Sequence, residues 1–350
     1  MTQTTPAGRT AAIAAMPRYQ PDRPPTRVDL SDNTSLWGPP PSVRATLAGL
    51  SDAQLSRYPS PNADALCAAL GDRHGVDPAC IVTGCGSDDV LDSAIRACCD
   101  AGSSIAVAVP TFSVVPSFAE VNEVRMAPVE LRRDGTVRAA DLLAVDADIY
   151  YLCSPNNPTG MSVPGAELIE LLEATDSIVL VDEAYADYAD TDAVALTEHH
   201  DNLVVVRTLS KAFGLAGLRV GYAVGHPDVV AAISASRGPY KVGALAEAVA
   251  IGVLRDDVEW VRARIDEVRE LRAAFTTRLA SAGFEVLHSD ANFVAVLVDD
   301  APGAFARMRD REVLVRAYAS LAVFGDLLRI TVAPTALLDE AFDALVDATR

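Results

Sequence analysis

The chain has 350 residues, half of them hydrophobic, with 22% charged residues and a formal net charge of -19. That length holds one large core and a smaller one, and the dispersed charge excludes a disordered chain. The acidity excludes nucleic acid and anionic membrane as partners, since both need a basic surface.

Residues 1–40, rich in Pro, Thr and Arg, read as an extended arm that also contributes to a smaller domain. The arm lacks the apolar core of a signal peptide, and no apolar run is long enough for a bilayer, which predicts a cytoplasmic protein. Beyond it, apolar strands alternate with helix-length segments. Strands are predicted at 81–83, Ser104–Val109, 149–152, 178–181 and 203–206, with helices such as 90–99 and Gly165–Ala174 between them. Buried apolar strands separated by helices predict a mostly parallel α/β sheet covered on both faces. From about residue 256 the pattern changes to a long charged helix at 258–280 and shorter strands at 293–298, 313–315 and 327–332. This predicts a large domain over 41–255 and a small α+β domain over 256–350. The six cysteines have no paired metal-ligand spacing, so free thiols and no metal are expected.

Ligands of an open parallel sheet bind beyond the carboxyl ends of its strands, and polar residues recur there. The first strand runs into Gly86, Ser87 and Asp88, whose backbone N–H groups at a helix start suit a phosphate; Ser87 or Asp88 serves equally as a plain N-cap. After the next strand stands Phe112, which either stacks on a flat ring or packs in the core. Ser154–Gly160 (SPNNPTG) is a rigid turn from which Asn157 can donate a hydrogen bond to a phenolate-like oxygen. Asp182, ending an apolar strand, needs a partner, either a ring N–H or a structural cation, and Tyr185 lies three residues on. The last strand ends in Thr208 and Ser210, followed by Lys211 and then Arg219. Hydroxyls and arginine make a second phosphate clamp.

Lys211 and Lys241 are the two lysines among 29 basic residues. A lysine kept where arginine is otherwise used points to chemistry that arginine cannot perform, such as an imine. The surroundings favour Lys211. A phosphate, a flat ring, a ring nitrogen needing a carboxylate, an oxygen needing donors and an aldehyde awaiting a lysine together describe pyridoxal phosphate.

SPNNPTG at 154–160, VDEAY at 181–185 and RTLSKAFGLAGLRVGY at 207–222, with weaker matches RYP at 57–59 and LRITV at 328–332, make the chain resemble the fold-type-I aminotransferases. Within them it is similar to the histidinol-phosphate aminotransferase branch. The resemblance implies a large domain with a mostly parallel seven-stranded sheet sandwiched by helices, and a small α+β C-terminal domain. It implies that Lys211 carries pyridoxal phosphate as a Schiff base and moves a proton at the substrate α-carbon, that Asp182 faces the pyridine nitrogen, and that Asn157 and Tyr185 bind the phenolic oxygen. Phe112 would stack on the ring, and Gly86, Ser87, Asp88, Thr208, Ser210 and Arg219 would hold the phosphate. Tyr58 would reach that phosphate from a second subunit, implying a homodimer with shared sites. Arg329 and Arg316 would bind the anionic groups of the substrates, and Tyr19, Asn33 and Tyr240 would line the substrate pocket.

The implied reaction is transamination from histidinol phosphate or an aromatic amino acid to a 2-oxo acid such as 2-oxoglutarate. Two alternatives stand on the same scaffold. One is decarboxylation of a phosphorylated amino acid, as in threonine-phosphate decarboxylase; the other is a non-catalytic regulator that keeps the cofactor site. One departure bears on the donor: where the family carries Glu-Asn-Pro after the asparagine, this chain has Thr34-Ser35-Leu36.

Overall fold

The computed structural model describes residues 25–349. In chain order the strands are β1 (Val28–Asp29), β2 (Ile81–Cys85), β3 (Ser104–Val109), β4 (Arg125–Glu130), β5 (Ile149–Cys153), β6 (Ile178–Asp182), β7 (Leu203–Thr208), β8 (Val220–Gly225), β9 (Phe293–Leu297), β10 (Val313–Leu314), β11 (Arg316–Leu321) and β12 (Gly325–Thr331). Strands β2 to β8 form one seven-stranded sheet in the order β2-β8-β7-β6-β5-β3-β4. It is parallel except for β8, which runs antiparallel to β7 and β2. The fold is therefore the α/β architecture expected, with helices on both faces.

The continuous apolar strands follow from this double cover. On one face Ile105, Val107, Tyr151, Leu180, Val204 and Val206 pack with Val90, Leu91 and Ile95 of helix Gly86–Cys98. On the other, Ala106, Tyr150, Leu152, Val179, Val181 and Val205 pack with Leu168, Leu171 and Val249 from helices Gly165–Ala174 and Ala244–Asp256. Each fully buried valine, leucine or isoleucine among them contributes about 1.5–3 kcal/mol of transfer free energy. The period of two assigns sides to the strand ends as well. Cys153, Asp182 and Thr208 continue the first face; Glu183 and Arg207 continue the second.

Three elements depart from the sequence expectation. β4 carries Pro128 and a half-exposed pattern, which an edge strand tolerates because one of its sides has no ladder to satisfy. β8 runs close against the start of helix Gly86–Cys98. A Cβ at Gly221 would lie 2.2 Å from the backbone N of Ser87, so only glycine allows the approach. That helix begins at Gly86, four residues before the predicted 90–99, because Gly86 takes the left-handed turn (φ +81°) that swings the chain from strand to helix.

After Asp257, helix Val258–Ser281 leads to a three-stranded antiparallel sheet, β11-β12-β9. Strand β1 pairs in parallel with β10 and so ties the N-terminal segment to this part of the molecule. All six cysteines are free. Among the described residues no His/Cys/Asp/Glu group is arranged to hold a metal, and no helix is long and apolar enough to cross a membrane.

Candidate active site

The carboxyl ends of the parallel strands open on a cavity of about 320 Å³. Its wall includes Ser87, Asp88, Phe112, Asn157, Asp182, Tyr185, Thr208, Ser210, Lys211, Arg219, Arg316 and Arg329, so residues as far apart in sequence as Ser87 and Arg329 meet at one place. Their convergence is what the alternation of strand and helix achieves: the parallel strands β5, β6 and β7 each deliver their last residue, Cys153, Asp182 and Thr208, to the same edge.

Lys211 lies three residues past the end of β7. Its Nζ donates to the carbonyl of Asp32 at 2.9 Å. Burial, with help from the Arg329 charge, lowers its pKa to about 8. Its amine is thus free to act as a nucleophile close to neutral pH. Asp182 is 3% exposed. Its Oδ1 accepts from the Ala184 N–H and its Oδ2 from the Tyr151 hydroxyl, both at 3.1 Å. Burial pushes this carboxyl up to about 6, while the two hydrogen bonds pull the other way. The Tyr185 hydroxyl accepts from Asn33 at 3.1 Å and from Asn157 at 3.5 Å, which leaves its own proton to donate.

One corner is built for an anion. Helix Gly86–Cys98 has no side-chain cap on its first N–H groups. Facing it, Thr208 Oγ1 donates to Ser210 Oγ at 2.9 Å, and Arg219 reaches both Ser210 Oγ at 3.4 Å and Asp88 Oδ2 at 3.1 Å. A Cβ at Gly86 would sit 2.3 Å from Arg219 Nη2, so the glycine is what lets the guanidinium lie over the helix start. Across the cavity, Arg316 and Arg329 are direct partners in the antiparallel β11–β12 register and point to the same side. Arg329 is 6% exposed; Nη1 donates to Asn157 Oδ1 at 2.7 Å, Nη2 donates to the Ser31 carbonyl, and Nε is buried without a hydrogen-bond partner among the described residues.

Not every predicted residue is on the wall. Tyr19 lies outside the described residues. Asn33 is fully buried behind the wall, where it orients Tyr185 and bonds to Thr331. Tyr58 is 84% exposed and stacks on Tyr240 with ring centroids 4.9 Å apart, away from the cavity of their own chain. Lys241 pairs with Asp89 at 2.6 Å. Conversely, Tyr318 lines the cavity unforeseen, although its position two residues from Arg316 on a strand is the signal that could have found it. Beneath the site, on the far face of the sheet, Glu183 Oε2 accepts from Arg207 Nε at 3.0 Å and from Nη2 at 2.7 Å, with both residues 5% exposed or less. Burial works against the charge on Arg207, and the surrounding carboxylates, Glu183 foremost, more than restore it.

The family model for aminotransferase class I and II matches residues 25–345. The chain belongs to the class I and II aminotransferases. It is 36% identical to the histidinol-phosphate aminotransferase of Geobacter sulfurreducens over 318 residues, covering 88% of this chain and 90% of that one. It is 37% identical to the aromatic amino acid aminotransferase of Rhodococcus jostii over 355 residues, covering 99% and 97%. Among solved structures, the histidinol-phosphate aminotransferase of Sinorhizobium meliloti in complex with pyridoxal-5'-phosphate superposes with a TM-score of 0.89 at 26% identity, covering 98% of each chain. Pyridoxal phosphate is the cofactor of this aminotransferase, and the residues present fit it. The uncapped helix start and the hydroxyl–arginine cluster suit its phosphate, the buried Asp182 suits a ring N–H, and Lys211 carries the amine for its aldehyde.

Proposed function

We propose that this aminotransferase moves the amino group of histidinol phosphate to 2-oxoglutarate. The observation that carries the proposal is the register pairing of Arg316 with Arg329 on one wall. Two guanidinium groups side by side accommodate a dicarboxylate, one on each, and in the other half of the cycle a phosphate-bearing donor. Aromatic amino acids are the second donor class. The Tyr318 ring, on the same wall and beside Arg329, favours them, and the Rhodococcus jostii relative is named for that activity.

In this proposal Ser87 and Asp88 at the helix start, the turn made by Gly86, and Thr208, Ser210 and Arg219 would hold the cofactor phosphate. Phe112 would cover one ring face, Asn157 and Tyr185 would donate to the phenolic oxygen, and the Asp182 carboxylate would take the ring nitrogen's proton as its partner. Bound pyridoxal phosphate supplies an aldehyde and an electron-accepting ring. Lys211 supplies the amine that holds it, and afterwards, as a free base, takes a proton from the substrate carbon and returns it. Arg329 and Arg316 orient the substrate through its anions. Residues 41–255 form the cofactor-binding domain and 256–350 the small domain that brings the arginines.

The test is a half-reaction panel. Histidinol phosphate, phenylalanine, tyrosine, glutamate and threonine phosphate are each mixed with the loaded enzyme, and loss of its visible absorbance is followed. Histidinol phosphate and glutamate are expected to react fastest. Carbon dioxide released from threonine phosphate, with the absorbance unchanged by histidinol phosphate, would replace transamination by decarboxylation.

We further propose a homodimer in which Tyr58 serves the partner's phosphate site. The exposed Tyr58–Tyr240 stack, with Leu55 at 60% and Leu245 at 43% exposure, supports an apolar surface awaiting a second copy. Sedimentation is expected to give twice the chain mass, and Tyr58→Ala to raise the cofactor Kd about 10-fold through its lost phosphate hydrogen bond. A monomeric active enzyme would contradict both.

A further inference from the structure

The polar groups that surround Asp182 extend one layer below the cavity, to Tyr151. This residue is on β5, is fully buried, and does not line the cavity. In the β5–β6 register Cys153 stands opposite Asp182 and Tyr151 opposite Leu180, so the Tyr151 side chain lies on the same face as Asp182, one pleat further in. From there its hydroxyl rises to Asp182 Oδ2 at 3.1 Å. An apolar run such as Ile149–Cys153 has no need of a phenol in its middle, and phenylalanine would fill the same space. The hydroxyl is the informative atom, and its partner is the carboxylate.

We propose that Tyr151 is a positioning residue for the cofactor: it holds the Asp182 carboxylate ionised and aimed at the ring nitrogen. The proposal rests on Asp182 facing that nitrogen. A carboxylate in a dry interior keeps its charge only where donors supply what water would have given. Asp182 has one on each oxygen: the Ala184 N–H on Oδ1 and the Tyr151 hydroxyl on Oδ2. The backbone donor is the Ala184 N–H, which every side chain but proline leaves in place. The tyrosine donor can be removed by a single atom. Burial raises the Tyr151 phenol well above its ordinary range, so it remains a donor at every pH at which the enzyme works and never competes as a second anion. Each carboxylate oxygen has two lone pairs, so neither bond prevents Asp182 from also accepting a ring N–H. Two fixed donors leave the carboxylate little freedom to rotate away from it.

The experiment compares wild type, Tyr151→Phe, Asp182→Asn and the double variant, each loaded with pyridoxal phosphate. Two quantities are read: the cofactor Kd between pH 5 and 9, and the pH midpoint of the visible absorbance band. Loss of a hydrogen bond to a charged group predicts that Tyr151→Phe raises Kd about 10-fold at neutral pH and moves the band midpoint upward. In the Asp182→Asn background the same change is expected to move Kd by no more than about two-fold and to leave the midpoint in place, because the tyrosine acts only through the carboxylate. If Tyr151→Phe leaves both quantities at their wild-type values, or costs as much in the Asp182→Asn background as it does in wild type, the residue is ordinary core and the proposal is wrong. If Asp182→Asn itself changes nothing, the assignment of Asp182 to the ring nitrogen fails first and takes this proposal with it. The single variants therefore separate the two failures.

Discussion

Lys211→Arg is expected to abolish the visible absorbance of the loaded enzyme and to lower turnover by about 10²–10⁴-fold through the lost proton transfer alone. The substitution keeps the positive charge and most of the length. It removes the property that matters, because a guanidinium does not give up its proton in a protein and so has no free pair to offer an aldehyde. The wild-type chain adds a pH dependence to the same experiment. Burial lowers the Lys211 amine to about 8, so the fraction able to react rises with pH and levels off above about 8, well short of the range of an exposed lysine. The rate at which cofactor-free protein takes up pyridoxal phosphate should follow that curve. A Lys211→Arg variant that retains the band would remove the basis for assigning this lysine, and an uptake rate still climbing through about pH 10, where an ordinary lysine titrates, would show that burial does not set its basicity.

Glu183→Ala is expected to destabilise the fold by about 3–5 kcal/mol, because it removes the buried carboxylate and leaves the charged Arg207 with only the half-exposed Asp192 as a contact partner. The effect should be visible as a lower midpoint in chemical denaturation with little change of slope. Asp192 offers the control. It also reaches Arg207, at 2.8 Å, but is 54% exposed on its side chain, so Asp192→Ala should cost no more than about 1 kcal/mol. Equal losses from the two variants would contradict the view that burial of the Glu183–Arg207 pair sets its importance. The pair has a functional side as well. Glu183 follows Asp182 and Arg207 precedes Thr208, so the bond fastens the ends of β6 and β7 from behind the residues that face the cavity.

Much of this site was legible because its residues punctuate apolar strands. Asn157, Asp182, Thr208, Ser210 and Lys211 each stand where an apolar run stops, and a polar residue at that place needs a reason. Ser104–Val109 and Gly165–Ala174 were legible to the residue, the first as an unbroken β-branched and alanine run ended by proline, the second between a proline and a threonine. What escaped was information held by pairing and not by spacing. That β8 is antiparallel cannot be read from Val220–Gly225, since an apolar strand buried on both faces looks the same in either direction. Tyr151 was hidden because two tyrosines in a hydrophobic run read as core, and only the register against β6 shows which hydroxyl meets Asp182. The resemblance implies Asn33 in the substrate pocket, yet it takes a left-handed backbone (φ 58°) and turns its side chain inward to Tyr185. It implies Tyr240 there too, yet that ring stacks on Tyr58 at the surface, where the proposed second copy would cover it.

The short N-terminal segment at 31–33 touches the site through two main-chain carbonyls and the Asn33 side chain. The Ser31 carbonyl receives Arg329, and the Asp32 carbonyl receives Lys211. Main-chain contacts of this kind survive almost any change of side chain, so these two hydrogen bonds outlast substitution at 31 and 32, whereas the Asn33 side chain is held by its bond to Tyr185. The Thr34-Ser35-Leu36 departure falls just beyond those two carbonyls. Mutational libraries aimed at new amino donors are therefore best confined to 34–36, where Thr34 reaches the cavity and neither the two carbonyls nor the Asn33 side chain is disturbed.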